Sequence, residues 1–172
     1  MEKERTPSPK LIGFLAVQTT GDDGGFVGSA MVTDQNGYPL EFRVLTPVKP
    51  TALQRVLFGD GLNRHVSADM CGKTLIQGIQ RKPNVFLVDR EELLGLGGLT
   101  TSVLYLRRAG EQVDVKMGST AMGGEGRLEN ISRGFQPVVW RGSFGENTNK
   151  QEVLTFLMQC FQDFDLIEVF KR

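Results

Sequence analysis

Apolar positions along the chain change period several times, and each change marks an element. Lys10 to Thr20 is apolar and β-compatible, and Gly21-Asp22-Asp23-Gly24-Gly25 breaks it with turn chemistry. Phe26 to Thr33 reads as a second strand, and its small residues Gly28, Ser29 and Ala30 imply that something packs closely against it. Asn36-Gly37 is a tight-turn signal, because both positions tolerate positive φ. Leu40 to Val44 then alternates, which predicts Leu40, Phe42 and Val44 inward and Glu41 and Arg43 outward.

Past Pro47 and Pro50 the period lengthens. Thr51 followed by Gln54 is a capping box for a short helix ending near Gly59, with apolar Leu53, Val56 and Leu57. A second helix is predicted from about Leu62 to Gln80, interrupted by Gly72 and Gly78. Val85-Phe86-Leu87-Val88 is a continuous apolar run, which suits a strand buried on both faces. Glu91 to Leu99 begins as a helical turn that its glycines stop. Ser102 to Arg108 and Gln112 to Gly118 form a predicted hairpin over Ala109-Gly110-Glu111, and 118–134 reads as irregular. Gln136 to Phe144 is the last strand. A cap at Asn149 with Glu152 opens a helix whose apolar side carries Val153, Phe156, Leu157, Cys160, Phe161 and Phe164.

This order predicts an α+β fold: a single mainly antiparallel sheet of six or seven strands, with helices packed mainly on one face. Residues 10–172 read as one domain behind a charged, Pro-containing, disordered leader over 1–9. By element order alone the arrangement resembles the longin, roadblock and profilin scaffolds. The segment Val32 to Arg43, continued by Pro47-Val48-Lys49-Pro50 and Leu53 to Gly59, resembles a family of uncharacterised bacterial proteins. That resemblance implies a bacterial source and brings no known activity with it.

Composition narrows the classes further. The 172 residues carry 20 basic and 20 acidic side chains, so phosphate neutralisation by bulk charge is not the design. No apolar run approaches the roughly 20 residues that span a bilayer, and the N-terminus lacks a signal-peptide core. A cytoplasmic location is expected, with Cys71 and Cys160 as free, buried thiols.

Several motifs can be tested for chemistry. Gly72-Lys73-Thr74 imitates the end of a phosphate loop, but Ser67 stands where the first glycine is required, inside a helical pattern. The glycine-rich stretches at 95–98 and 118–126 lack dinucleotide spacing. One histidine, His65, and two distant cysteines give no structural zinc spacing, and His65 sits opposite its helix's apolar face. No catalytic residue, metal or cofactor is assigned. Arg81-Lys82, Arg107-Arg108, Arg127, Arg133 and Arg141, with Phe135 and Trp140, make a candidate nucleic-acid patch that Glu125 and Glu129 dilute.

These readings favour a non-enzymatic interaction or adaptor subunit of a bacterial multiprotein system, its partner another protein, a second copy included. The expected interaction surface joins Glu41, Arg43, Gln54 and Arg55 to the apolar C-terminal residues Val169 and Phe170. A small-ligand sensor domain and a nucleic-acid-associated accessory protein are the alternatives, with nucleic acid ranked below protein as a partner.

Overall fold

A computed structural model describes residues 8–21, 24–96, 101–111, 123–128 and 136–171. The expected leader falls mainly on residues 1–7, and the second arm of the predicted 102–118 hairpin on 112–118. Both lie outside the described residues.

Seven strands form one sheet: β1 Leu11–Thr20, β2 Gly25–Asp34, β3 Pro39–Val44, β4 Val85–Val88, β5 Val103–Arg108, β6 Gly124–Leu128 and β7 Val138–Ser143. Their spatial order is β3-β2-β1-β4-β5-β7-β6. β1, β2 and β3 are an antiparallel meander, as the turn signals at Gly21–Gly25 and Asn36-Gly37 predict. In the second turn Asp34 Oδ1 accepts from the Asn36 and Tyr38 N–H groups, both at 2.9 Å, and Gly37 takes φ +83°. β4 lies parallel to β1 and to β5, and β7 returns antiparallel between β5 and β6. The sheet is thus mainly antiparallel, and the α+β class stands. β6 corrects the expectation of irregular chain through 118–134. Its glycines are poor strand formers, but Gly124 and Gly126 leave room for the Trp140 ring from the neighbouring strand.

The helical crossover from β3 to β4 comprises α1 Ala52–Phe58, α2 Leu62–Arg64, a π-helical stretch His65–Gly72 and α3 Lys73–Gly78. Val66, Cys71 and Leu75 from this run pack with Leu15, Val17, Phe26, Phe86 and Val88 on one sheet face. The small residues of β2 have their explanation here: a Cβ on Gly28 would lie 3.1 Å from the Cys71 Cβ and 3.0 Å from Leu75. Gly72, the mimic of a phosphate-loop glycine, is likewise a packing site under Leu96.

Across the other face runs α4, Lys150–Asp163. Val153, Phe156, Leu157, Cys160 and Phe161 meet Ile12, Phe14, Leu87, Leu104 and Trp140. Asn149 caps this helix by accepting from the Gln151 and Glu152 N–H groups. β4 is buried along its whole length, as its unbroken apolar run predicts. No helix among the described residues is long and apolar enough to cross a membrane.

At Phe42, Val44 and Glu41 the facing of β3 is the reverse of its prediction, while Arg43 is exposed as predicted. Phe42 is 62% exposed and Val44 55% exposed, whereas the Glu41 side chain is only 12% exposed. Alternation shows that a strand has two faces, not which one is covered. Phe42 pairs beside Met31 on the α4 side, beyond the helix's reach, and Glu41 turns towards the loop after α3.

Candidate nucleic-acid interface

At the edge of the sheet formed by β5, β7 and β6, register fixes which side chains share a face. Tyr105, Arg141 and Glu125 stand in one cross-strand row, and Arg107, Val139 and Arg127 in the next but one. Tyr105 packs against the core on the crossover-helix side, so both rows look that way. The alternate residues Leu104, Leu106, Trp140 and Leu128 belong to the core under α4. Three arginines from three strands are thereby gathered on one surface. Two of them, Arg107 and Arg127, border an open groove of about 230 Å³ that Ala109, Gly110, Glu125, Gly126 and Val139 also line.

Carboxylates position two of these arginines. Glu91, from the 3-10 turn after β4, accepts from Arg141 Nη1 at 3.0 Å, and the second oxygen of Glu125 is 3.8 Å from Arg141 Nε. Arg107 Nη2 lies 3.5 Å from Glu125. Arg127 is exposed and ion-pairs with no described carboxylate. Its donors are the ones an incoming anion meets without displacing a partner. The face is therefore mixed in sign, with a basic excess of one charge over Arg107, Arg127, Arg141, Glu91 and Glu125.

Next to this surface lies Asp89, immediately after β4. Its oxygens accept from the Val17 N–H of β1 at 3.3 and 3.4 Å, and Arg90 Nε approaches to 3.4 Å. Burial raises the Asp89 pKa, against the opposing pull of Arg90 and the Val17 N–H. The Tyr105 hydroxyl is also pushed up, first by burial and then by the charges of Glu91, Glu111 and Asp89. Among the described residues no group of three or more His, Cys, Asp or Glu side chains converges to hold a metal ion.

Of the residues expected in a basic aromatic patch, Arg107, Arg127 and Arg141 come together. Arg108 points the other way, where it pairs with Asp165 and reaches Glu168. Trp140 is 2% exposed, under the Lys150 ammonium and edge-on to Phe144, so it offers no base a stacking platform. Arg133 and Phe135 lie outside the described residues. The sequence reading passed over Asp89, Glu91 and Tyr105, although Tyr105 and Arg107 follow the same alternation that marks Glu125 and Arg127.

The surface expected from Glu41, Arg43, Gln54, Arg55, Val169 and Phe170 is not assembled in one place. Glu41 accepts from the Arg81 N–H at 2.9 Å, the Gln80 N–H at 3.0 Å and Arg43 Nε at 3.2 Å. These contacts, the Arg81 and Gln80 N–H groups foremost, hold its carboxyl below the usual range. Gln54 closes the capping box with Thr51, and Arg55 donates to the Gly24 carbonyl at 3.1 Å. Val169 and Phe170 instead pack on the core beneath α4, with the Phe170 ring edge-on to Phe14 at 5.7 Å.

No family profile and no curated protein matches the sequence. Solved structures do match. Endonuclease V from Ciona intestinalis, in complex with a 23mer DNA containing an inosine followed by a ribo-adenosine, aligns at 11% identity with a TM-score of 0.50. That alignment covers 95% of this chain and 84% of that one. Endonuclease V from Bacillus subtilis aligns at 11% identity and TM-score 0.44, over 91% of this chain and 73% of its own. A protein of unknown function from Archaeoglobus fulgidus aligns at 12% identity and TM-score 0.44, over 86% and 85%. The likeness to the Ciona protein corrects the expectation of an uncharacterised family with no known activity, and with it the non-enzymatic adaptor reading and the ranking of a protein partner above nucleic acid. At this identity what is shared is architecture: the chain has the fold of Endonuclease V, seen in the Ciona protein bound to DNA.

Proposed function

We propose that the chain is a nucleic-acid-associated protein that meets a phosphodiester backbone with the β5–β7–β6 face. The observation that carries this reading is the gathering of Arg107, Arg127 and Arg141 on one sheet surface, with Arg107 and Arg127 at an open groove. Arginine presents a planar fork of donors suited to phosphate oxygens, and sheet register holds the three forks at fixed spacing. The fold shared with a DNA-bound Endonuclease V supports the same reading. In this proposal residues 10–172 act as one domain. The location is cytoplasmic, a compartment that suits two buried free cysteines.

The test is binding of fluorescently labelled single- and double-stranded DNA and RNA across a salt series. Three phosphate contacts give a slope of about −2.7 in log K against log salt on duplex DNA, and losing one removes about 0.9. Arg127→Ala is expected to weaken binding evenly across sequences with that loss of slope. No binding at low salt, or an Arg107→Ala/Arg127→Ala chain that binds like the parent, sinks the reading.

A second reading, that the chain also acts on the strand it holds, is favoured by Asp89. Its carboxyl stands at the carboxyl end of β4, against Val17 within the parallel strand β1, the side of such sheets on which ligands gather, and beside the arginine face. Incubation of the chain with inosine-containing DNA and Mg²⁺ addresses it. Cleavage by the parent and loss of cleavage in Asp89→Asn, at unchanged DNA binding, is the expected pattern. Intact substrate after prolonged incubation rejects it.

A further inference from the structure

One edge of the sheet is β3, which among the described residues has β2 on one side and no strand on the other. Proteins commonly protect such an edge with lysine, proline or a covering loop. Here Pro39 occupies only the first position of β3; Leu40 to Val44 after it contains neither residue, and Phe42 and Val44 stand exposed on it. Hydrogen-bond direction can be read from the register. Leu45 N–H donates to the Gly28 carbonyl at 2.9 Å, and pairing continues through Ala30 with Arg43 and Val32 with Glu41. In an antiparallel ladder alternate residues turn inward, so Arg43 and Glu41 direct their backbone groups to β2. Phe42 and Val44 direct theirs outward, away from the sheet.

We propose that the chain pairs with a second copy of itself through β3, antiparallel about a two-fold axis at Phe42. About that axis Phe42 exchanges both backbone hydrogen bonds with the other copy's Phe42, and Leu40 lies opposite the other copy's Val44. Glu41 falls opposite the other copy's Arg43, and Arg43 opposite its Glu41, so the two in-chain Glu41–Arg43 pairs, each closed at 3.2 Å, lie head to tail with opposite charges alternating across the seam. Opposite charges directly across a ladder stabilise it and like charges oppose it. A segment that satisfies its own complement under a two-fold is what an isologous contact requires. A one-residue slip of this register destroys the charge match, which selects the axis. β3 and the arginine face are at opposite edges of the sheet, so pairing leaves both grooves open and stands independently of nucleic-acid binding.

Sedimentation of the full chain over a concentration series is expected to show a monomer–dimer equilibrium. Phe42→Pro removes only an outward N–H and is expected to yield a folded monomer. Cross-linking reads the register. Under copper phenanthroline, Phe42→Cys chains are expected to link to each other, because hydrogen-bonded antiparallel partners place their Cα atoms about 5.5 Å apart, within disulfide range. Arg43→Cys chains, whose like residues are not opposite, are expected to link far more slowly. Arg43→Glu should be monomeric, since it sets acid against acid. A parent chain that stays monomeric at hundreds of micromolar overturns the proposal. So does a dimer that survives Phe42→Pro, or equal cross-linking of the two cysteine variants.

Discussion

Phe42 and Glu41 are neighbours whose burial runs against their chemistry, and the reason lies outside their own strand. Had Phe42 faced the core, its removal would have cost about 3–5 kcal/mol. With the ring outward, Phe42→Ala is expected to leave the stability of the dilute, unpaired chain within about 0.5 kcal/mol, read from the urea midpoint. The opposite holds at Gly126. A Cβ there would stand 2.7 Å from Trp140 Nε1, with two further ring carbons at 2.8 Å. Gly126→Val is therefore expected to cost about 1–3 kcal/mol through overpacking, measured by the same titration. Asp89 gives a pH signature. Its folded pKa is raised, so the unfolded chain ionises first and the native state loses stability as pH climbs from the ordinary Asp range, about 3.9, through the folded value. Asp89→Asn should flatten that fall in a stability–pH profile; an unchanged profile means the group is not the source. The thiols are legible from sequence and structure alike. Both sit within apolar helical faces, and burial pushes Cys71 up and Cys160 up to about 12.

Between α1 and α4, similar capping signals have different consequences, because capping is local and packing is not. Both Thr51 and Asn149 accept N–H groups at the start of their helices. α4 then buries six side chains, whereas α1 buries none, leaving Leu53, Val56 and Leu57 at 66%, 81% and 69% exposure. Asn149→Ala is expected to cost about 1 kcal/mol of global stability, since the end it frays is coupled to the core. Thr51→Ala should leave the unfolding midpoint in place and raise hydrogen exchange only within α1. Equal midpoint shifts in the two variants would show that α1 is part of the cooperative unit. β6 shows the other side of this dependence. Gly124 and Gly126 carry no strand signal of their own, and only the partner strand with its indole makes the segment a strand.

At the scale of the molecule, the C-terminal residues close the core under α4. Leu166 is fully buried and Ile167 is 8% exposed. Burying each contributes roughly 1.5–3 kcal/mol, against a total of about 5–15 for a domain. A chain ending at Asp165 is expected to lose most of its thermal stability, which a calorimetric scan checks; a cooperative transition at the parent temperature would show the tail to be dispensable. What the sequence by itself determined are the features written in local chemistry: the turns at Gly21–Gly25 and Asn36-Gly37, the buried run Val85–Val88, the apolar stripe of α4 and the α+β class. Each follows from backbone preference or from a periodicity of two or 3.6. Tertiary structure alone decided which face of β3 is covered, that β4 runs parallel to β1, and that Trp140 turns inward while Arg107, Arg127 and Arg141 share a surface. Those outcomes depend on strand order and on where α4 stops. Period-two alternation is symmetric between the faces of a sheet, and only a neighbour from elsewhere in the chain breaks that symmetry.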